Sequence, residues 1–120
     1  MARVVVLGGC GTVGSIAVKT LARNNEFSEV VIGDFNIDRA RLLEKEINST
    51  KIRSVKFDAF DKKSIMQAIK GADVVLNCVG PFYSTVKNIL KTVAEAGINY
   101  VDVCDDVDVT IELFEMDGEI

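Results

Sequence analysis

Gly9-Cys10-Gly11-Thr12-Val13-Gly14 sets three glycines at the spacing G-x-G-x-x-G, directly after the apolar run Arg3-Val4-Val5-Val6-Leu7. The chemistry open to such a turn is to hold a pyrophosphate. Gly9 permits a tight turn, Gly11 lets the anion approach the backbone, and Gly14 lets the following helix pack closely on the strand. The amides around Thr12 and Val13 then face the anion at the positive end of the helix dipole. Asp34 stands twenty residues beyond Gly14, at the end of a second apolar run. From there a carboxylate accepts hydrogen bonds from the adenosine ribose hydroxyls. A 2′-phosphate would meet a like charge, so the spacing selects NAD over NADP; Arg39, the nearest cation, lies a helical turn further on. The bland alternative is a plain turn beside a solvated strand end. Strand, glycines, helix and acid falling in register favour the nucleotide. Asp58, at the expected end of the third strand, stays open between a bond to the adenine amino group and an exposed terminus.

The elements that must position these residues alternate between apolar strand and amphipathic helix, the pattern of a parallel sheet covered on both faces. Strands are expected at Arg3 to Leu7, Glu29 to Asp34, Ser54 to Asp58, Asp73 to Cys78 and Asn99 to Val103. The first helix runs from about Val13 to Asn24, with Val13, Ile16, Ala17, Leu21 and Ala22 as its apolar positions. Asp38 is expected to cap a second helix that buries Ala40, Leu42, Leu43 and Ile47, and Asp61 a third from Lys62 to Lys70, closed by Gly71. A fourth helix covers about Ser84 to Ala96, and a last amphipathic stretch about Val107 to Met116. Right-handed crossovers then give an α/β, Rossmann-type doubly wound sheet in three αβα layers, order 3-2-1-4-5, with its crevice between strands one and four.

Length and composition fit one domain over residues 1–120. Of the 120 residues 48% are hydrophobic and 27% charged, a soluble globular balance. The net charge of -4, with no basic face, argues against nucleic acid as a partner. The apolar runs are too short to span a membrane and no signal-peptide core is present, so a cytoplasmic location is expected. Cys10, Cys78 and Cys104 read as reduced thiols, and the absence of His removes the commonest neutral-pH base and zinc ligand. No metal is expected, and the catalytic residues stay unknown.

Asn77-Cys78-Val79-Gly80-Pro81-Phe82, together with Gly8 to Gly14 and Gly97-Ile98-Asn99-Tyr100-Val101-Asp102, resembles the N-terminal domains of the saccharopine dehydrogenase family. The resemblance covers nearly the whole chain. It implies a cofactor lying over Gly9 to Gly14 with Val79, Gly80, Pro81 and Phe82 beside its nicotinamide half. NADP-linked members tend to carry Ser/Thr-Arg after strand two, whereas Asp34-Phe35-Asn36 is more similar to the NAD-linked lysine 6-dehydrogenase and saccharopine dehydrogenase branch. Those enzymes oxidise a C–N bond of lysine or a lysine adduct by hydride transfer, with substrate groups supplied largely by a second domain. That domain is not within these residues, and Asp117 to Ile120 read as ending inside an element. An excised N-terminal domain or a stand-alone binding subunit is therefore expected, not a complete catalyst. Its expected partners are a small amino-acid substrate and, as a homodimer, a second copy.

Three other readings compete. Tyr83-Ser84-Thr85-Val86-Lys87 matches the Tyr-x-x-x-Lys of short-chain dehydrogenases, but follows strand four rather than strand five, so helix-start packing is the simpler explanation. The three cysteines, at the ends of strands one, four and five, could form a metal or redox site, although they lack a fourth ligand. Asp105, Asp106 and Asp108 read as a solvated helix start. A non-catalytic nucleotide-sensing module also fits the turn.

Overall fold

The computed structural model describes residues 2–79 and 83–102. Its strands are β1 (Ala2–Leu7), β2 (Phe27–Asp34), β3 (Ile52–Lys56), β4 (Val74–Asn77) and β5 (Asn99–Asp102). Its helices are α1 (Thr12–Ala22), α2 (Ile37–Ile47), α3 (Lys62–Ile69) and α4 (Tyr83–Glu95). The strands form one parallel sheet in the order β3-β2-β1-β4-β5, as the crossover rule requires.

Alternation along β1 divides the core between the two faces of the sheet. Val5 and Leu7 join Val31, Val75, Ile65, Ile69, Ile89 and Val93 on the side of α3 and α4. Val4 and Val6 join Val30, Ile32, Val18, Ala40 and Leu43 on the side of α1 and α2. Each such fully buried aliphatic side chain contributes about 1.5–3 kcal/mol. With both faces covered, β1 is apolar at every position from Val4 to Leu7, as a central parallel strand must be.

The helix faces differ in part from expectation. In α1 the buried positions are Gly14 and Val18, backed by partly buried Leu21 and Ala22, whereas Val13 and Ile16 are exposed. The face that meets the sheet follows the glycine and its i+4 and i+7 neighbours, because only Gly14 fits where the helix comes closest to the turn. In α2, Leu42 points outward while Ala40 and Leu43 are buried. Its N-cap is Asn36, whose side chain accepts the Arg39 N–H at 3.2 Å, and not Asp38, which lies in the first turn. Asp61 does cap α3, accepting from Lys63 N–H at 3.0 Å, and Gly71, with φ +77°, follows that helix. β3 begins and ends two residues earlier than expected, so Asp58 lies in the following loop. The stretch expected as a last helix, with Asp105, Asp106 and Asp108, lies outside the described residues.

Candidate functional site

The order of the sheet reverses direction between β1 and β4, and the turn between β1 and α1 lies at that switch. The left-handed residue of the turn is Gly8, with φ +76°, and not Gly9. A Cβ on Gly8 would also come within 2.9 Å of the Cys78 carbonyl carbon and the Val79 nitrogen. Gly9 instead packs against the Ile32 and Val18 side chains. Gly14 brings α1 onto the turn itself: a Cβ there would collide with the Gly8 carbonyl oxygen and approach Gly9 Cα at 2.8 Å. Gly11 faces open space, and the nearest atom to a Cβ built there is the Gly8 oxygen at 3.5 Å. It caps α1 with no side-chain hydrogen bond, so no capping side chain answers the first-turn amides around Thr12 and Val13. Open space over uncapped amides at a helix start suits a pyrophosphate.

Asp34, the last residue of β2, reaches across to this turn. Its Oδ2 accepts the Cys10 N–H at 3.1 Å, and its Oδ1 accepts the Asn36 N–H at 3.0 Å. Each carboxylate oxygen keeps further acceptor capacity for a ligand hydroxyl. From α2, Arg39 donates through Nη2 to the Cys10 carbonyl at 3.0 Å. The backbone of Cys10 is thus held at its N–H by an anion and at its carbonyl by a cation. Burial pushes the Cys10 thiol up to about 11, helped by the Asp34 charge and by a hydrogen bond to that carboxylate, with Arg39 opposing. A thiol so shifted stays protonated at neutral pH and is a poor nucleophile or metal ligand.

These residues border a cleft of about 630 Å³. Gly8, Gly11, Asp34, Phe35 and Arg39 form one part of its lining, Phe57, Asp58, Ala59 and Phe60 a second, and Cys78 and Val79 a third. Phe35 and Phe60 are about two-thirds exposed, at 66% and 69%, so each offers an aromatic face to whatever enters. The Lys56 ammonium lies 5.3 Å from the Phe35 ring centre. Asp58 is a cleft residue even though it lies beyond β3. Its Oδ1 accepts the Phe60 N–H at 2.9 Å, and its own N–H donates to Ser64 Oγ at 2.8 Å, which shapes the loop that carries Phe60.

On the β4 side, Asn77 is a buried polar residue. Its Nδ2 donates to the Tyr100 hydroxyl at 2.9 Å, and its Oδ1 accepts the Val79 N–H at 3.0 Å. Val79 lines the cleft, while Gly80, Pro81 and Phe82, expected beside it, lie outside the described residues.

Of the residues expected to hold the nucleotide, the cleft gathers Gly11, Asp34, Asp58 and Val79, whereas Gly9, Thr12, Val13 and Gly14 are not among its lining residues. Phe35, Arg39, Phe57, Ala59, Phe60 and Cys78 were not expected as lining. The available signal was position, since each lies in the loop that follows a strand or in the helix after it, where open α/β sheets bind ligands. Tyr83 opens α4 after β4, outside the arrangement that a short-chain dehydrogenase pair requires. Cys10 and Cys78 pack against the α1 and α2 side of the core, and Cys104 lies outside the described residues. Among the described residues no three His, Cys, Asp or Glu side chains group to hold a metal ion. Nor, among them, is any helix long and apolar enough to cross a membrane.

Comparison with known proteins follows the same lines. The family model described as "Saccharopine dehydrogenase NADP binding domain" matches residues 4–115. A carboxyaminopropylagmatine dehydrogenase of Synechocystis is 26% identical over 104 residues, covering 85% of this chain and 25% of that protein. Apo saccharopine dehydrogenase (L-Glu forming) from Saccharomyces cerevisiae superposes with a TM-score of 0.77 at 22% identity, over 94% of this chain and 24% of that one. A short-chain dehydrogenase/reductase from Veillonella parvula in complex with NADP gives a TM-score of 0.72 at 16% identity, over 84% and 46%. At these identities the structural likenesses show the fold. The chain spans about a quarter of the length of the curated relatives it matches.

Proposed function

The chain belongs to the saccharopine dehydrogenase NADP-binding domain family, and from that premise we propose that it is the nucleotide-holding part of an NAD-dependent oxidoreductase acting on a C–N bond of lysine or a lysine adduct. The observation that carries the cofactor is Asp34, which lines the cleft and bonds the glycine turn by the same carboxylate. The pyrophosphate would lie over Gly11 and the first turn of α1, the adenosine ribose at Asp34, and the adenine against Phe35 or Phe60. The opposite end would reach Cys78 and Val79. When bound, the nicotinamide supplies an acceptor for a hydride. The part of this chain is to bind it, orient it and shield one side with apolar residues. Substrate-binding groups come from a second domain, and a second copy of the chain completes a homodimer.

NADP is the competing reading, favoured by the family's own description and by Arg39, a cation on the same cleft. The two separate in calorimetric titration. NAD is expected to bind more tightly than NADP, and Asp34→Arg is expected to reverse the order, each preference being about 1–2 kcal/mol or roughly five- to thirtyfold. Equal affinity for both nucleotides before and after the exchange would remove Asp34 as the discriminating residue. The reaction class is tested in the full-length protein by NADH formation from NAD with lysine or a secondary-amine adduct of lysine. Turnover of a simple alcohol and of neither amine would overturn it.

A further inference from the structure

The buried Asn77 amide does more than close a turn. Val79 N–H can only donate, so the amide oxygen must face it, and the amide nitrogen is left for the Tyr100 hydroxyl. Tyr100 lies on β5, one strand further from the cleft, opposite Val75 of β4. The Cys78-Val79 peptide held by Asn77 is the one against which Gly8 is packed, with both its carbon and its nitrogen 2.9 Å from a Cβ built on Gly8. A continuous line of contacts therefore runs from Tyr100 through Asn77 and the Cys78-Val79 peptide to the glycine turn. Cys78 N–H is meanwhile fixed by the Leu7 carbonyl at 2.8 Å, so this segment is tied to β1 as well.

We infer that Asn77 and Tyr100 are positioning residues: their hydrogen bond sets the orientation of the Cys78-Val79 peptide, and with it the wall that receives the nicotinamide half of the nucleotide. The inference rests on the reading in which the dinucleotide runs from Asp34 to Val79. The peptide is planar, so turning Val79 N–H toward Asn77 fixes the direction of the Cys78 carbonyl at the same time. Without its Tyr100 partner the amide loses one of two anchors, and the peptide gains rotational freedom at the cleft. The adenosine half is held by a separate set of groups, Asp34, Cys10 and Arg39, which share no hydrogen bond with Asn77.

That separation makes the test selective. In the full chain, Tyr100→Phe removes one oxygen and keeps the ring, and Asn77→Ala removes the amide. Affinities are measured for NADH, NADPH and ADP, the last carrying only the adenosine and pyrophosphate parts. Tyr100→Phe is expected to weaken the preferred dinucleotide about three- to tenfold and to leave ADP within about twofold, with Asn77→Ala changing the ratio in the same direction. A merely structural role would lower all three alike. Equal losses for ADP and dinucleotide, or no loss for either, would overturn the positioning role while leaving nucleotide binding intact. An unchanged chain that binds neither NADH nor NADPH would overturn the nucleotide reading and this inference together.

Discussion

The two ends of the cleft are braced by opposite chemistry. On the β2 side the glycine turn is held by ions: Asp34 on the Cys10 N–H and Arg39 on its carbonyl, both within reach of solvent at the cleft. On the β4 side the exit segment is held by a neutral pair, Asn77 and Tyr100, with Asn77 almost fully buried. A charged brace at a wet surface adds little to stability but reads the charge of a ligand. A buried neutral brace reads no charge, yet is costly to leave half satisfied. The same fold thus separates selecting a nucleotide from holding its far end in place. Between the two lies the glycine turn, on which both braces converge.

The largest way to break this arrangement acts at their meeting point. Gly14→Val would force a branched side chain onto the Gly8 carbonyl and Gly9 Cα, which are backbone and cannot swing aside. A loss of about 3 kcal/mol or more is expected in chemical denaturation, with loss of nucleotide binding. Stability within about 1 kcal/mol of the unchanged chain would show that the turn tolerates separation from α1, and neither brace would then be constrained by it.

Next comes the neutral brace. Asn77→Leu conserves volume but strands the Val79 N–H and takes the donor from Tyr100, so about 2–4 kcal/mol of destabilisation is expected. Asp34→Asn, the matching change at the charged brace, keeps an acceptor for one N–H and should cost about 1 kcal/mol or less. Urea unfolding of the two variants side by side gives the comparison its sharpest form. If Asp34→Asn proves the more destabilising, the division between selecting and holding is wrong.

How much of this was legible in the sequence follows the range of the interactions. Strand order and layers were readable because continuous apolar runs separated by capped helices leave few topologies. Gly14 and Asp34 were readable because fixed spacing carries them to the turn. Gly8 was misplaced by one residue, since three consecutive small residues give no local sign of which takes the positive φ. The outward faces of Val13, Ile16 and Leu42 were misread because periodicity finds an apolar stripe but not the rotation at which a glycine contact docks it. The bonds of Arg39 to Cys10 and of Asn77 to Tyr100 join residues 29 and 23 positions apart, and no local pattern encodes such pairs. The resemblance had marked both Asn77 and Tyr100 without indicating that they touch.

The smallest effect concerns the Cys10 thiol, which sits within the charged brace. In the folded chain the Cys10 thiol is raised to about 11 from an ordinary value of 9.0, chiefly by burial and then by Asp34. A group whose folded value is raised contributes stability that is fully present below its unfolded value and is lost as pH rises through the folded one. The window is therefore pH 9 to 11, where a half-buried thiolate would form beside the Asp34 carboxylate. Cys10→Ala removes the group, so the difference in unfolding free energy between the two chains should shrink across that window and stay flat below pH 9. Lysines and tyrosines titrate in the same range, but they are common to both chains and cancel in the difference. A difference for Cys10→Ala that grows between pH 9 and 11 would mean that the thiolate is stabilised in the fold, with Arg39 and not Asp34 governing the electrostatics of the glycine turn.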